Sequence, residues 1–241
     1  MSLIGTYQET SLHAALKQWY AQPDDRMEEQ VDGSVIDLVR GDLLVEIQTA
    51  NFSAIRRKLE RLVDAHPLRL VYPIPREKWI TRLSADGLTR LGRRKSPRRG
   101  RFEHLFLELV HIPHLVTHPN FSLEVLMIQE EDLWREDGRG SWRRKGRSIQ
   151  DRQLLGVLSR ATYSNPGDYV SFIPADIPQP FTVRELSGSI QQPQYLGSKM
   201  IYCLRKMGAV EIVGKHGRAY AYQVSGAKQS STTLRLPIQA P

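Results

Sequence analysis

Cysteine is almost missing from this chain. Cys203 stands alone among 241 residues, which excludes an intramolecular disulfide framework and zinc sites built on cysteine. Long apolar runs are also missing. No stretch is long enough to span a bilayer and the N-terminus carries no basic-then-apolar signal pattern, so a cytoplasmic protein with no membrane partner is expected. Acidic residues are in deficit, 26 against 34 Lys and Arg, leaving a formal net charge of +8. Three catalytic signatures do not occur: the Gly-x-x-x-x-Gly-Lys-Ser loop, the Gly-x-Ser-x-Gly elbow and His-Glu-x-x-His. Lys145-Gly146-Arg147-Ser148 offers only a fragment of the first.

What the chain has instead is clustered basic charge. Arg90, Arg93, Arg94, Lys95, Arg98, Arg99 and Arg101 form one group, and Arg139, Arg143, Arg144, Lys145 and Arg147 form another around Trp142. Such segments suit a phosphate backbone, where counterion release drives binding, so Arg93, Arg94, Arg98, Arg143 and Arg144 are candidate DNA contacts. A solvated charge run is the competing reading of either cluster alone.

The most informative stretch is Val35-Ile36-Asp37-Leu38-Val39-Arg40-Gly41-Asp42-Leu43-Leu44-Val45-Glu46-Ile47-Gln48. Two β-rich runs flank a tight turn and read as a hairpin. With Gly41-Asp42 as the loop, paired residue numbers sum to 83, so Asp37 faces Glu46 and Gln48 shares the Glu46 face. Two carboxylates opposed in an apolar hairpin repel and are costly to desolvate unless positive charge lies between them. A hard divalent cation meets that need; a cross-strand pair with each acid bridged to an arginine is the alternative.

Around this hairpin the pattern gives a helix over 7–20, capped by Thr6 and Glu9, and a weak strand over 27–31. Asn51 is the expected N-cap of a helix reaching Ala65. A strand over Leu68–Ile74 follows, resuming at Lys78–Leu83 after a break at Pro75. A helix near Phe102–Val110, a strand over Phe121–Gln129 and a helix at about 149–162 come next, with Asn165-Pro166-Gly167 as a boundary signal. Pro113 denies His111, His114 and His118 a regular metal-binding spacing, and Cys203 reads as core.

The last third has its own pattern. Thr182 caps a short helix, and Pro193 opens a second helix with Leu196, Met200, Leu204 and Met207 on one side. Val210–Val213 and Ala219–Val224 then flank a basic hairpin tip. This order resembles a winged helix-turn-helix domain, which implies DNA contacts from Ser198, Lys199, Tyr202, Arg205, Lys206, Lys215 and Arg218. A winged unit used for protein contact is the alternative. From Ala227 the composition turns to Ser, Thr, Gln and Pro, as in a disordered tail.

The spacing Asp37…Glu46-x-Gln48 resembles the active-site core of PD-(D/E)XK nucleases, with Gln where that family usually has Lys. The resemblance implies an α/β, restriction-endonuclease-like αβββαβ core with a mixed sheet over about 1–150. A small winged domain at 151–226 and a tail at 227–241 would complete the chain. It also implies Mg²⁺ or Mn²⁺ held by Asp37, Glu46 and the Ile47 carbonyl, with Gln48 placing a water and Glu9 assisting from the first helix. Arg56 or Lys58 on the following helix would be the source of the charge Gln48 lacks. The expectation is a metal-dependent DNA endonuclease acting as a possible homodimer. Its rivals are a DNA-binding regulator that keeps the nuclease fold without the chemistry and an interaction protein with a basic surface.

Overall fold

In the computed structural model, residues 11–226 and 236–237 are described. The elements begin with α1 (Ser11–Tyr20), β1 (Arg26–Val31), β2 (Ser34–Arg40), β3 (Leu43–Ile47), α2 (Phe52–Val63) and β4 (Leu68–Leu83). The N-terminal capping pair Thr6 and Glu9 lies outside the described residues. The β2–β3 turn sets the expected register: Leu38, Val39 and Arg40 pair with Val45, Leu44 and Leu43. After α2 the chain returns as β4 parallel to β3, so the architecture is α/β with a mixed sheet.

Beyond β4 come β5 (Arg90–Lys95), a short helix α3 (Phe106–Leu109), β6 (Phe121–Arg135) and β7 (Ser148–Tyr163). β6 is parallel to β4 and antiparallel to β7 along most of its length, which makes a long three-stranded arm with β5 paired to β4 at its far end. Leu236–Pro237, inside the expected tail, form a two-residue strand β10 beside β7; the remainder of 227–241 lies outside the described residues.

Three sequence expectations need correction. Residues 149–162 are strand, and an expected domain boundary at 150 falls inside β7. Pro75 does not break β4. The Gln48 amide bonds to the Val71 carbonyl, so alternate residues from Val71 through Pro73 and Pro75 direct their backbone groups toward the β3 edge. β3 ends at Ile47, opposite Val71, and β5 pairs with β4 only from Trp79 onward, so the prolines' missing N–H groups fall where no strand is waiting. Asn51 makes no side-chain cap; it is left-handed at φ 61°, and Glu108 of α3 accepts the Phe52 N–H at 3.0 Å instead.

The sheet buries both faces. On one, Leu12, Leu16 and Tyr20 of α1 cover Leu38, Val45, Ile47, Val71, Leu126 and Ile128. On the other, α2 and α3 share a single apolar cluster with α4 (Val183–Ser189), α5 (Gln194–Lys206) and the hairpin β8–β9 (Val210–His216 and Ala219–Val224). Phe106 stacks edge-on against Phe172 at 4.9 Å, which ties the sheet's helical layer to the segment leading into α4. Thr182 and Glu185 form a reciprocal capping box at the start of α4. The face of α5 that buries Leu196, Met200, Leu204 and Met207 is the one expected from the sequence.

Candidate functional site

The β2–β3 ladder stops one step short of the Asp37–Glu46 pair. At that step the Asp37 side chain replaces backbone: its Oδ2 accepts the Ile47 N–H at 2.8 Å. On the other edge of β2 the facing residue of β1, Glu28, is left-handed at φ 52° and drops out of the β1–β2 ladder. Its carboxylate accepts from Lys17 of α1 at 2.6 Å. A local break in pairing on both edges of β2 thus frees Asp37 to reach toward the end of β3.

Two helices bring nitrogen donors to the pair. His13 of α1 places Nε2 at 2.9 Å from the Ile47 carbonyl and 3.4 Å from Asp37 Oδ2. Lys58 of α2 places Nζ at 2.6 Å from Glu46 Oε1 and donates to the Val35 carbonyl at 2.5 Å. Among the described residues neither acid is bridged to an arginine, so the cross-strand arginine account finds no support there. Burial works against the Asp37 charge, but bonds from His13 and the Ile47 amide hold its carboxyl below the usual range. Glu46 is different. Burial pushes it up to about 7, the nearby Asp37 charge adds to this, and Lys58 opposes it. One of its oxygens, Oε1, is buried without an aligned hydrogen bond despite the close Lys58 contact.

The remaining predicted residues divide clearly. Gln48 is half-buried at the end of β3 and its amide donates to the Ala50 carbonyl at 2.5 Å, close to the acids but turned along the chain. Arg56 pairs with Glu60 on the outer face of α2 and takes no part. Glu9 lies outside the described residues. His114 and His118 meet Glu60 and Asp64 at the surface. Cys203 is buried, and burial lifts its thiol to about 12, as expected of a packing residue. His13 was missed by sequence reasoning, although it lies four residues before Lys17, on the α1 side that meets the sheet.

Among the described residues no group of three or more His, Cys, Asp and Glu surrounds a metal position. The donors for a hard cation are the two carboxylates and the Ile47 carbonyl. An underbonded buried Glu46 oxygen is the feature such an ion would satisfy, so the residues present fit one.

The two basic clusters, about 50 residues apart in sequence, meet in space. Arg93 and Arg94 of β5 and Arg143, Arg144, Lys145 and Arg147 line a single cleft of about 440 Å³ at the far end of the arm. Arg98 lies outside it. In the last third, Ser198, Tyr202, Arg205, Lys206, Lys215 and Arg218 are exposed and Lys199 is half-exposed.

Residues 10–164 match the family described as Domain of unknown function (DUF8091). The chain belongs to that family. A relative described as an uncharacterized protein, from Treponema pallidum (strain Nichols), is 32% identical over 223 residues, covering 91% of this chain and 87% of the relative. The family match takes in the acids, both helices beside them and the whole arm through β7. The relative's similarity extends past it into the α4–β9 region, since 223 aligned residues cannot fit within 10–164. No solved structure matches.

Proposed function

We propose that this protein is a metal-dependent DNA endonuclease of the PD-(D/E)XK type, carrying a winged helix-turn-helix unit over α4, α5 and β8–β9. The observation that supports it best is the Lys58 ammonium 2.6 Å from Glu46, with Asp37 close enough to disfavour the Glu46 charge. The element order α1-β1-β2-β3-α2-β4 agrees with the αβββαβ core this reading requires. Two acids from neighbouring strands and one lysine are the minimum set for hydrolysing a phosphodiester. Here the lysine comes from α2 in place of the strand position taken by Gln48.

Asp37, Glu46 and the Ile47 carbonyl would hold the cation, which would neutralise charge on the phosphate and make a bound water more acidic. Each group of the chain then has a task. Lys58 opposes the burial that disfavours the Glu46 charge and supplies the fixed positive charge that Gln48 lacks. His13 holds the Ile47 carbonyl and Asp37 in one orientation. Gln48 positions water through its amide without contributing charge. Water attacks phosphorus and gives its proton to solvent, the P–O3′ bond breaks, the 3′ oxygen takes up a proton from solvent, and a 5′-phosphate end is left. The exposed side of α5 and the β8–β9 tip bring the chain to DNA, where Tyr202, Arg205 and Lys215 meet the backbone.

One observation favours a second reading, a DNA-binding regulator that keeps this fold without cutting: the Gln48 amide is already engaged by Ala50. Incubating purified protein with supercoiled plasmid and Mg²⁺ or Mn²⁺ separates the two. Nicking that disappears in Asp37→Ala supports the nuclease; tight binding with no nicking in either metal transfers the conclusion to the regulator.

A further inference from the structure

The basic cleft at the end of the arm differs from an ordinary charged surface in its bookkeeping of charge. Arg93 pairs with Glu131 at 2.7 Å and Arg147 with Glu136 at 2.8 Å, so those two are largely neutralised. Among the described residues no carboxylate pairs with Arg94, Arg143, Arg144 or Lys145. Four uncompensated cations around one concavity repel each other and focus a positive field into it, an arrangement relieved by an anion.

The walls are set in advance. The 138–147 loop closes on itself through the Gly140 N–H to the Gly146 carbonyl at 2.7 Å, and a side chain at Gly140 would collide with the Arg147 backbone. Ser148 donates to Asp137 at 2.7 Å and Arg147 grips Glu136, so the loop is pinned to the arm at its base. Aromatic surface accompanies the charge. Trp134 lines the cleft, and Trp142, outside that lining but next in sequence to Arg143 within it, is 81% exposed and carries the Arg143 guanidinium 5.6 Å over its ring. An indole left in water beside unpaired arginines is a platform for a flat, electron-rich partner.

Size decides between the forms of nucleic acid. A space of about 440 Å³ falls within the range that holds a small molecule, hence one or two nucleotides, whereas a duplex can only lie across its rim. We propose that this cleft binds a single strand of nucleic acid, with phosphates between Arg94 and Lys145 and an unpaired base stacked on Trp142. The site is separate from the acids: Val71 pairs with Ile47 and Arg82 lines the cleft, so β4 puts roughly 35 Å between them at about 3.3 Å per residue. It therefore does not depend on whether Asp37 and Glu46 cut anything.

The test is fluorescence anisotropy in metal-free buffer, using a labelled ten-nucleotide oligo-dT strand and a blunt ten-base-pair duplex. The full chain is compared with Trp142→Ala, Trp142→Phe and the double variant Arg94→Glu/Arg143→Glu. Trp142→Ala is expected to weaken the strand by about tenfold, from the usual worth of one base–aromatic stack, while Trp142→Phe restores most of it. The double charge reversal lowers strand affinity further and flattens its salt dependence. Lys199→Ala/Arg205→Ala, on α5, lowers duplex affinity and leaves the strand's response to Trp142→Ala in place. A charge reversal that weakens duplex as much as strand, or a Trp142→Ala variant that binds the strand like the parent, overturns the proposal. A parent protein that binds the strand but nicks no plasmid would instead remove the nuclease and leave this site standing.

Discussion

The acidic corner between β2 and β3 and the basic cleft at the other end of β4 handle charge in opposite ways. At the corner two carboxylates are withdrawn from water, with the His13 ring and the Lys17 charge acting on Asp37 and Lys58 beside Glu46. Burial and repulsion still leave Glu46 near 7, so the corner is held in a state that costs free energy without an added cation. At the cleft the cations stay in contact with solvent, where an unpaired charge costs little. The corner is thus a place where like charge is tolerated against its own energetics. The cleft is one where charge is merely left over, and only its concave shape and its missing partners distinguish it from a solvated run.

The strongest way to break this contrast is to cross the two sites. Asp37→Ala is expected to reduce metal-dependent nicking by 10³-fold or more while leaving DNA affinity within about twofold, since removing a residue of a catalytic unit costs several kcal/mol at the transition state. Arg94→Glu/Arg143→Glu is expected to do the reverse, weakening single-strand binding while plasmid is nicked at its normal rate. Gel assays of nicking, paired with anisotropy on the same preparations, read both. Loss of binding in Asp37→Ala, or slower nicking in the cleft variant, would show that the sites are not independent.

A smaller effect sharpens the division of labour within the corner. If Lys58 supplies the charge that Gln48 cannot, Lys58→Ala should slow nicking by about 10²-fold, the usual scale for one preorganised electrostatic group. Gln48→Ala should slow it by about fivefold or less. The ranking is the point: a larger loss at Gln48 than at Lys58 would return the central role to the strand position. Circular dichroism melting separates this from misfolding. Lys58→Ala leaves Glu46 able to take up a proton at neutral pH, so the buried site is not left with a bare charge.

The corner was more legible in the sequence than the cleft, for a physical reason. Hairpin register follows from a two-residue turn and period-2 alternation, both local, so the Leu38–Val45 pairing could be read from the chain. The break at Asp37 could not, because it depends on Glu28 leaving the neighbouring ladder. Lys58 came into view as one of two candidates among the four basic residues of α2, but its choice over Arg56 is a matter of helix phase against the sheet. β7 failed differently. Register shifts at three places along its pairing with β6 scramble the alternation that would mark a strand, and much of it is half-buried on both faces, so apolar residues fell at spacings a helix also permits. The Glu108 cap on α2 and the meeting of Arg94 with Arg143 are tertiary facts, joined only when β4, β6 and β7 run side by side. The α5 face and the Thr182 cap were plain, since caps and helical stripes need no distant partner.

The least effect is expected midway along the arm, and it tests whether acids there are structural and unlike those of the corner. Glu77 sits at the β4 bulge and accepts from Arg99 at 2.7 Å and Gln129 at 2.8 Å, with Lys95 also at 2.8 Å. Bonds from Lys95 and Gln129 draw its carboxyl down to about 2. Its folded value lies below its unfolded one, so its contribution to stability is complete above about 4.5 and disappears as the pH falls toward 2. Glu77→Gln should therefore melt about 2 °C or less below the parent at pH 7, because the pairs are largely solvated. The two melting curves should converge between pH 4 and pH 2 as the parent loses what the variant never had. Nicking rate and strand affinity should be unchanged. A gap that persists at pH 2 would mean that Glu77 acts through shape and not charge, and a change in nicking would join the arm's acids to the corner that this comparison holds apart.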